Sequence, residues 1–227
     1  MQPYLFPYTG YFQLVAAVDR FVFYDDVNFI KNGWINRNRL FLAGDVRYIT
    51  VPLSGASSFL KINEVVVQPG DVWRKKIIES MRQSYSKAPY FNDVKSLVSE
   101  VLLLEENKIA NLAKASIVAV CNYLGLDTQF VMTSTIYENT NLNSAARVID
   151  ICRQEKADDY YNLPGGKELY DESLFKSNGI DLYFVESHLK KYQQFTADFH
   201  PGLSIIDVLM FNDREAARNM LVTKAII

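Results

Sequence analysis

The sequence predicts an α/β protein with a mostly parallel sheet, flanking helices and a helix-rich insertion. Three observations carry this. Short β-prone runs alternate with longer segments of helical apolar spacing, the pattern of strands connected through helices. Hydrophobic residues make up 49% and charged residues 22% of the 227, close to the balance of folded globular chains. The stretch from about 71 to 125 contains three helical segments in succession, which reads as an insertion or lid within a single domain spanning 1–227.

In chain order, Tyr11 to Val18 has helical spacing and Phe21 to Tyr24 is a β-prone run closed by Asp25-Asp26. Asn38–Leu42 and Arg47–Leu53 alternate as two strands around the turn Ala43-Gly44-Asp45, and Val65–Val67 adds a short strand. Pro69-Gly70 breaks the pattern, and Asp71 is placed to cap a helix from Val72 to about Ser84. Helices follow near Asp93–Leu104 and Lys108–Leu124, the latter stopped by Gly125, which tolerates the left-handed conformation at a helix end. Gln129–Thr133 returns to strand character, followed by a helix over Ser144–Gln154, a strand at Tyr160-Tyr161 and the turn Pro164-Gly165-Gly166. A helix at Glu172–Ser177, a strand at Ile180–Val185, and helices from Ile205 (capped by Ser204) and Arg214 (capped by Asp213) complete the chain.

Charge and cysteine usage narrow the function classes. With 24 Lys plus Arg against 26 Asp plus Glu, the net charge is −2, without the basic excess of a nucleic-acid binder. Small molecules or other proteins are the better partners. Cys121 and Cys152 lie in apolar helical surroundings and read as buried thiols. His188 and His200 have no metal-ligand spacing, so no metal site is predicted. No apolar run has the length of a membrane span and no signal peptide opens the chain, so a cytoplasmic location is expected.

The first forty residues carry the most information. QPYLFPYTGYF places a proline-rich aromatic turn before a helix, with Gly10 allowing close approach where that helix begins. After the next strand comes a polar loop with Asp25, Asp26, Lys31, Trp34, Asn36, Arg37, Asn38 and Arg39. Such groups recognise sugar hydroxyls, phosphates and carboxylates. The bland alternative is a solvated strand edge with Trp34 as a core anchor. Asp25, Asp26, Lys31 and Arg37 are the catalytic candidates. Gln2, Tyr4, Tyr8, Gly10, Tyr11, Trp34, Asn36, Asn38, Arg39, Arg74, Lys87, Gly165, Gly166 and Tyr170 are the substrate-binding candidates. No Ser/His/Asp or Cys/His triad is supported by spacing.

The opening block, followed by Asp-Asp-Val and Lys-Asn-Gly-Trp-Ile-Asn-Arg-Asn, resembles the signature of the WbqC-like family. The resemblance continues through TVPL (50–53), WRKK (73–76), SYSKAPYF (84–91), ICRQEKADDYYN (151–162), GGKELYD (165–171) and SIIDVLMFN (204–212). NTNLN (139–143) and FHPG (199–202) depart from the family pattern. So does the start at Met1-Gln2, where the family has a short apolar strand before the block; either that strand is shortened or the start is placed late.

What the resemblance implies is a part in O-antigen or capsule biosynthesis. The expected activity is transfer of an amino-acid or acyl group onto an activated amino sugar, or else non-catalytic nucleotide-sugar binding or assembly in the same pathway. The order of the first elements also resembles nucleotidyltransferases with a His-x-Gly-His motif. Here Tyr8-Thr9-Gly10-Tyr11 stands in that place, and tyrosine cannot become cationic near neutral pH. A nucleotide or nucleotide-sugar is the expected ligand, with magnesium left open.

Overall fold

In the computed structural model, residues 1–223 and the backbone of Ala225 and Ile226 are described. The elements in order are α1 (Thr9–Ala16), β1 (Arg20–Val22), β2 (Arg37–Leu42), β3 (Asp45–Thr50), β4 (Leu53–Ser54), β5 (Val66–Val67), α2 (Val72–Tyr85), α3 (Phe91–Leu102) and α4 (Ile109–Leu124). Then follow β6 (Gln129–Val131), α5 (Ser144–Gln154), β7 (Asp159–Asn162), α6 (Glu172–Ser177), β8 (Asp181–Val185), α7 (Ile205–Phe211), α8 (Arg214–Asn219) and β9 (Ala225–Ile226).

The fold is mixed α/β, and one part of the expectation needs correcting: the strands do not form a mostly parallel sheet. β1 pairs in parallel with β6, and β7 with β8, but β2–β3, β4–β5 and β8–β9 are antiparallel. The β2–β3 pair is a hairpin closed by Ala43 and Gly44, both at positive φ (52° and 82°), the geometry that a two-residue turn between twisted strands demands. A local hairpin outcompetes a long crossover wherever the linking loop is this short.

Side-chain alternation in β2 sets up the site. Asn38, Leu40 and Leu42 point inward, while Arg37, Arg39 and Phe41 occupy the half-exposed face. The interior forms two clusters. The larger joins α1, β1, β2, α2–α4 and α7, with Phe6, Phe12, Phe23, Tyr85 and Met81 almost fully enclosed. The smaller gathers Val148, Ile149 and Cys152 of α5 with Phe175, Ile180, Leu182 and Phe184. The three helices of the 71–125 stretch thus bury Met81, Val94, Val98, Ile117 and Cys121 in the same core as α1 and β1. Gly125 ends α4 at φ 66°, as its position predicts. Among the described residues, no helix is long and apolar enough to cross a membrane.

Candidate functional site

A cleft of about 1440 Å³ separates the two clusters. One half runs between β1 and β7, past Leu14, Phe21, Val22, Val148, Ile151, Cys152 and Tyr160. The other half, its mouth, is bordered by Gln2, Tyr4, Tyr8, Trp34, Arg39, Asn162, Gly165, Gly166, Ser187 and Gly202. Asn162 ends β7, and Ser187 lies just beyond β8, so the mouth sits at the carboxyl ends of parallel strands, where α/β sheets bind ligands.

The wall of the mouth is a strained turn. Phe6 has φ 40°, an unfavourable conformation for a residue with a bulky side chain. Four contacts hold it there. The Phe6 N–H donates to Ser116 Oγ at 2.9 Å, and its carbonyl accepts from Asn38 Nδ2 at 2.9 Å and Ser204 Oγ at 2.7 Å. Asn38 Nδ2 also donates to the Leu5 carbonyl at 3.0 Å. Strain of about 1–3 kcal/mol persists only where surroundings over-determine it. Beyond the turn, Tyr8 Oη lies 3.4 Å from Ser187 Oγ. Gly10 is required at this approach: a Cβ there would stand 2.3 Å from Ser187 Oγ and 2.5 Å from the Tyr8 ring.

Two buried polar atoms of residues at the mouth, Gln2 Oε1 and Arg39 Nε, have no hydrogen-bond partner among the described residues. Arg39 Nη2 donates to the Gly202 carbonyl at 3.1 Å, and the guanidinium lies 5.6 Å from the Trp34 ring centroid. One orphan is an acceptor and the other a cationic donor. Each leaves a polar atom of a cleft-bordering side chain without the partner that buried polar groups ordinarily have.

A second polar cluster lies behind this wall. Asp25 pairs with Lys114 Nζ at 2.5 Å and accepts from Thr133 Oγ1 at 2.8 Å and the Ser134 N–H at 3.1 Å. Asp26 pairs with Arg147 Nη2 at 2.5 Å and accepts from Ser134 Oγ, also at 2.5 Å. All four ionic partners are buried. Arg147 also binds Asn139 Oδ1 at 2.9 Å and covers the Tyr24 ring. This cluster locks β1 to α4 and α5.

A model of the WbqC-like protein family matches residues 2–219. The chain belongs to that family. An uncharacterised protein of Mycobacterium tuberculosis is 32% identical over 209 residues, which cover 91% of this chain and 89% of the relative. No solved structure matches the chain.

The first forty residues supply half of the named mouth residues, Gln2, Tyr4, Tyr8, Trp34 and Arg39. Of the residues singled out from sequence, Gln2, Tyr4, Tyr8, Trp34, Asn38, Arg39, Gly165, Gly166 and Tyr170 border the cleft. Gly10 supports it from behind. Tyr11 is buried, its hydroxyl donating to the Gln2 carbonyl at 2.8 Å, and burial pushes its ionisation well up. The remaining candidates do not border the cleft. Asp25 and Asp26 are in the buried pairs, and Lys31 is exposed. Arg37 donates to the Gly33 and Asn32 carbonyls and stacks on Tyr48, while Asn36 donates to the Val51 carbonyl at 2.9 Å. Arg74 donates to the Leu102 carbonyl at 2.7 Å and the Gly70 carbonyl at 2.6 Å, satisfying the end of α3. Lys87 is exposed after α2.

Sequence reasoning missed Ser187, Asn162, Tyr24 and Gly202 at the cleft. Ser187 and Asn162 had a usable signal, since each follows or ends a predicted strand. Tyr24 and Gly202 arrive by tertiary packing and had none. Burial pushes the thiol of Cys152, which borders the cleft, up to about 11 and that of Cys121 up to about 12, so neither is an activated nucleophile. Among the described residues, no group of three or more His, Cys, Asp or Glu side chains is arranged to hold a metal.

Proposed function

We propose that the mouth of the cleft binds an activated, nucleotide-linked amino sugar, and that the chain is a transferase placing an amino-acid or acyl group on it during O-antigen or capsule biosynthesis. The observation carrying the ligand assignment is that Gln2 and Arg39 border one cleft beside Trp34, each with a buried side-chain atom, Oε1 and Nε, that has no partner among the described residues. The guanidinium recognises phosphate or carboxylate oxygens, an indole face accommodates a sugar ring, and the amide oxygen accepts from an amino or hydroxyl group. Tyr8 and Ser187 add two hydroxyls that both donate and accept. The polysaccharide assignment rests on the resemblance of the opening block and on family membership.

One observation favours a non-catalytic version of the same reading. Asp25 and Asp26, the natural candidates for a general base, are each neutralised by a buried cation. In that version the chain presents or assembles the nucleotide-sugar without transforming it.

The test is calorimetric titration with nucleotide-sugars, with and without magnesium, followed by mass analysis after incubation with amino acids or acyl donors. Arg39→Ala removes a charge-assisted hydrogen bond of roughly 1.5–3 kcal/mol, so affinity should fall at least about tenfold. Binding with a mass gain on the sugar supports the transferase. Binding without turnover supports the presenting role. No binding of any nucleotide-sugar by a folded sample defeats both.

A further inference from the structure

Between β8 and α7 the chain runs from Glu186 to Ser204 with no helix or strand, and it borders the cleft mouth near both ends, at Ser187 and at Gly202. A stretch without a ladder of its own keeps one course only if other groups satisfy its backbone. Two glutamines do this in the same way. Gln13, fully buried in α1, accepts from the His188 N–H at 3.1 Å, and its Nε2 donates to the His188 carbonyl at 2.9 Å and the Met220 carbonyl at 2.8 Å. Gln194, also buried, accepts from the His200 N–H at 2.8 Å. Its Nε2 lies 2.9 Å from Asp207 Oδ1, 3.0 Å from Tyr192 Oη and 3.3 Å from the His200 carbonyl. A primary amide carries both a donor and an acceptor, so one side chain serves both backbone groups of a histidine as a neighbouring strand would.

Each clamp sits next to a group at the mouth. His188 follows Ser187, whose Oγ lies 3.4 Å from Tyr8 Oη. His200 leads through Pro201 to Gly202, whose carbonyl accepts from Arg39 Nη2 at 3.1 Å. That carbonyl and the Trp34 ring, 5.6 Å from the guanidinium, set where Arg39 stands. Gly202 has φ 68°, and a Cβ there would meet Arg39 Nη2 at 3.4 Å, so the turn approaches the guanidinium as a residue without a side chain allows.

We infer that Gln194 and Gln13 are positioning residues of the ligand site. Gln194 holds the Gly202 carbonyl against Arg39, and Gln13 holds Ser187 beside Tyr8. Neither glutamine borders the cleft, so each acts through the residue it places. The inference rests on the ligand reading above, which gives Arg39 and Ser187 their use. Without the Gln194 clamp the turn at Gly202 loses its fixed course, and Arg39 must be ordered at the moment of binding, which weakens affinity.

The experiment compares Gln194→Met and Gln13→Met with Tyr85→Phe, which disturbs Asp207 but leaves both clamps. Nucleotide-sugar titration is run as a double-mutant cycle with Arg39→Ala. Gln194→Met should weaken binding about three- to tenfold in the parent and not at all once Arg39 is alanine, whereas Gln13→Met should weaken it in both backgrounds. A purely stabilising role would give the same loss from Gln194→Met with and without Arg39. A ligand-free readout is the indole N–H resonance of Trp34, told from that of Trp73, the second tryptophan, by Trp73→Phe. Gln194→Met should displace it in the direction that Arg39→Ala does, and Gln13→Met and Tyr85→Phe should leave it in place. Should Gln194→Met not fold, Gly202→Ala acts at the other end of the same link, and it should displace the resonance and weaken binding only while Arg39 is present. Losses independent of Arg39, or a Trp34 resonance unmoved by the variant that folds, would overturn the inference. Failure of every nucleotide-sugar to bind the parent defeats the ligand reading alone, because the Trp34 resonance still reports whether Gln194 places Arg39.

Discussion

In a chain prepared with Met1 as its first residue, the Met1 amino group should make stability depend on pH between about 5 and 8. Burial is the main cause that lowers its ionisation from 8.0 to about 5, and the nearby Asp25 and Cys152 pull partly the other way. In the unfolded chain the amine is protonated below about pH 8, whereas in the folded chain it stays neutral down to about 5. Across that window the unfolded state binds more protons, so stability rises with pH and is lost as pH falls from 8 towards 5. At ~1.4 kcal/mol per pH unit, the interval between 8.0 and about 5 corresponds to about 4 kcal/mol. The assay is urea unfolding at pH 5.5, 6.5, 7.5 and 8.5 for the free and the Nα-acetylated chain. Acetylation removes the titrating group and keeps an N–H for Val22, so the acetylated chain should lose this slope. Superimposable pH profiles for the two chains would refute the reasoning, because every other titrating group is common to both.

Two further outcomes test the buried polar clusters. Lys114→Met leaves the Asp25 carboxylate without its cation in a site where both side chains are at most 4% exposed, and should cost about 3–5 kcal/mol in urea unfolding. Adding Asp25→Asn should recover much of that loss; a Lys114→Met chain as stable as the parent would mean that the pair does not hold the fold. Tyr85→Phe removes one of three donors to the fully buried Asp207, whose other partners are Tyr192 Oη at 2.5 Å and Gln194 Nε2 at 2.9 Å. It should lower stability by about 1–3 kcal/mol, read from the denaturation midpoint, while leaving nucleotide-sugar binding at the mouth unchanged.

Local patterns in the sequence located the helices and the main strands to within a few residues. α5 and α6 have the predicted bounds, and the β2–β3 hairpin turns at the predicted Ala43-Gly44. These elements are set by apolar periodicity, capping groups and turn residues, all of which are local. Ser204 and Asp213 do accept from the backbone N–H groups of Ile206 and Ala216, as cap positions predict. What was not legible depends on distant partners. The pairing of strands was read as mostly parallel, yet the direction of a pair is set by which edges meet, which no local period encodes. Asp25 and Asp26 read as site carboxylates because their cations are 89 and 121 positions away. Asp207 was not singled out as a site residue, and its partner Tyr85 arrives from 122 positions away. Of the polar loop singled out from sequence, Trp34, Asn38 and Arg39 border the cleft, while Asp25, Asp26, Lys31, Asn36 and Arg37 do not.

The two polar systems near the amino-terminal turn have opposite physical signatures, and that difference bears on where chemistry occurs. Around Asp25 and Asp26, each carboxylate is paired and hydrogen-bonded inside the protein, which fixes the relative placement of β1, α4 and α5. At the mouth, Asn38, Ser116 and Ser204 hold Phe6 in an unfavourable conformation, while Gln2 Oε1 and Arg39 Nε remain without partners. Folding alone gains nothing from leaving two buried polar atoms unsatisfied beside a strained turn. Under the proposed function, a shift of either side chain that brings its unpaired atom to the cleft would let a ligand recover that desolvation cost. The pairs of Asp25 and Asp26 hold the frame in place, and the proposed function assigns recognition to the wall of Gln2, Trp34 and Arg39.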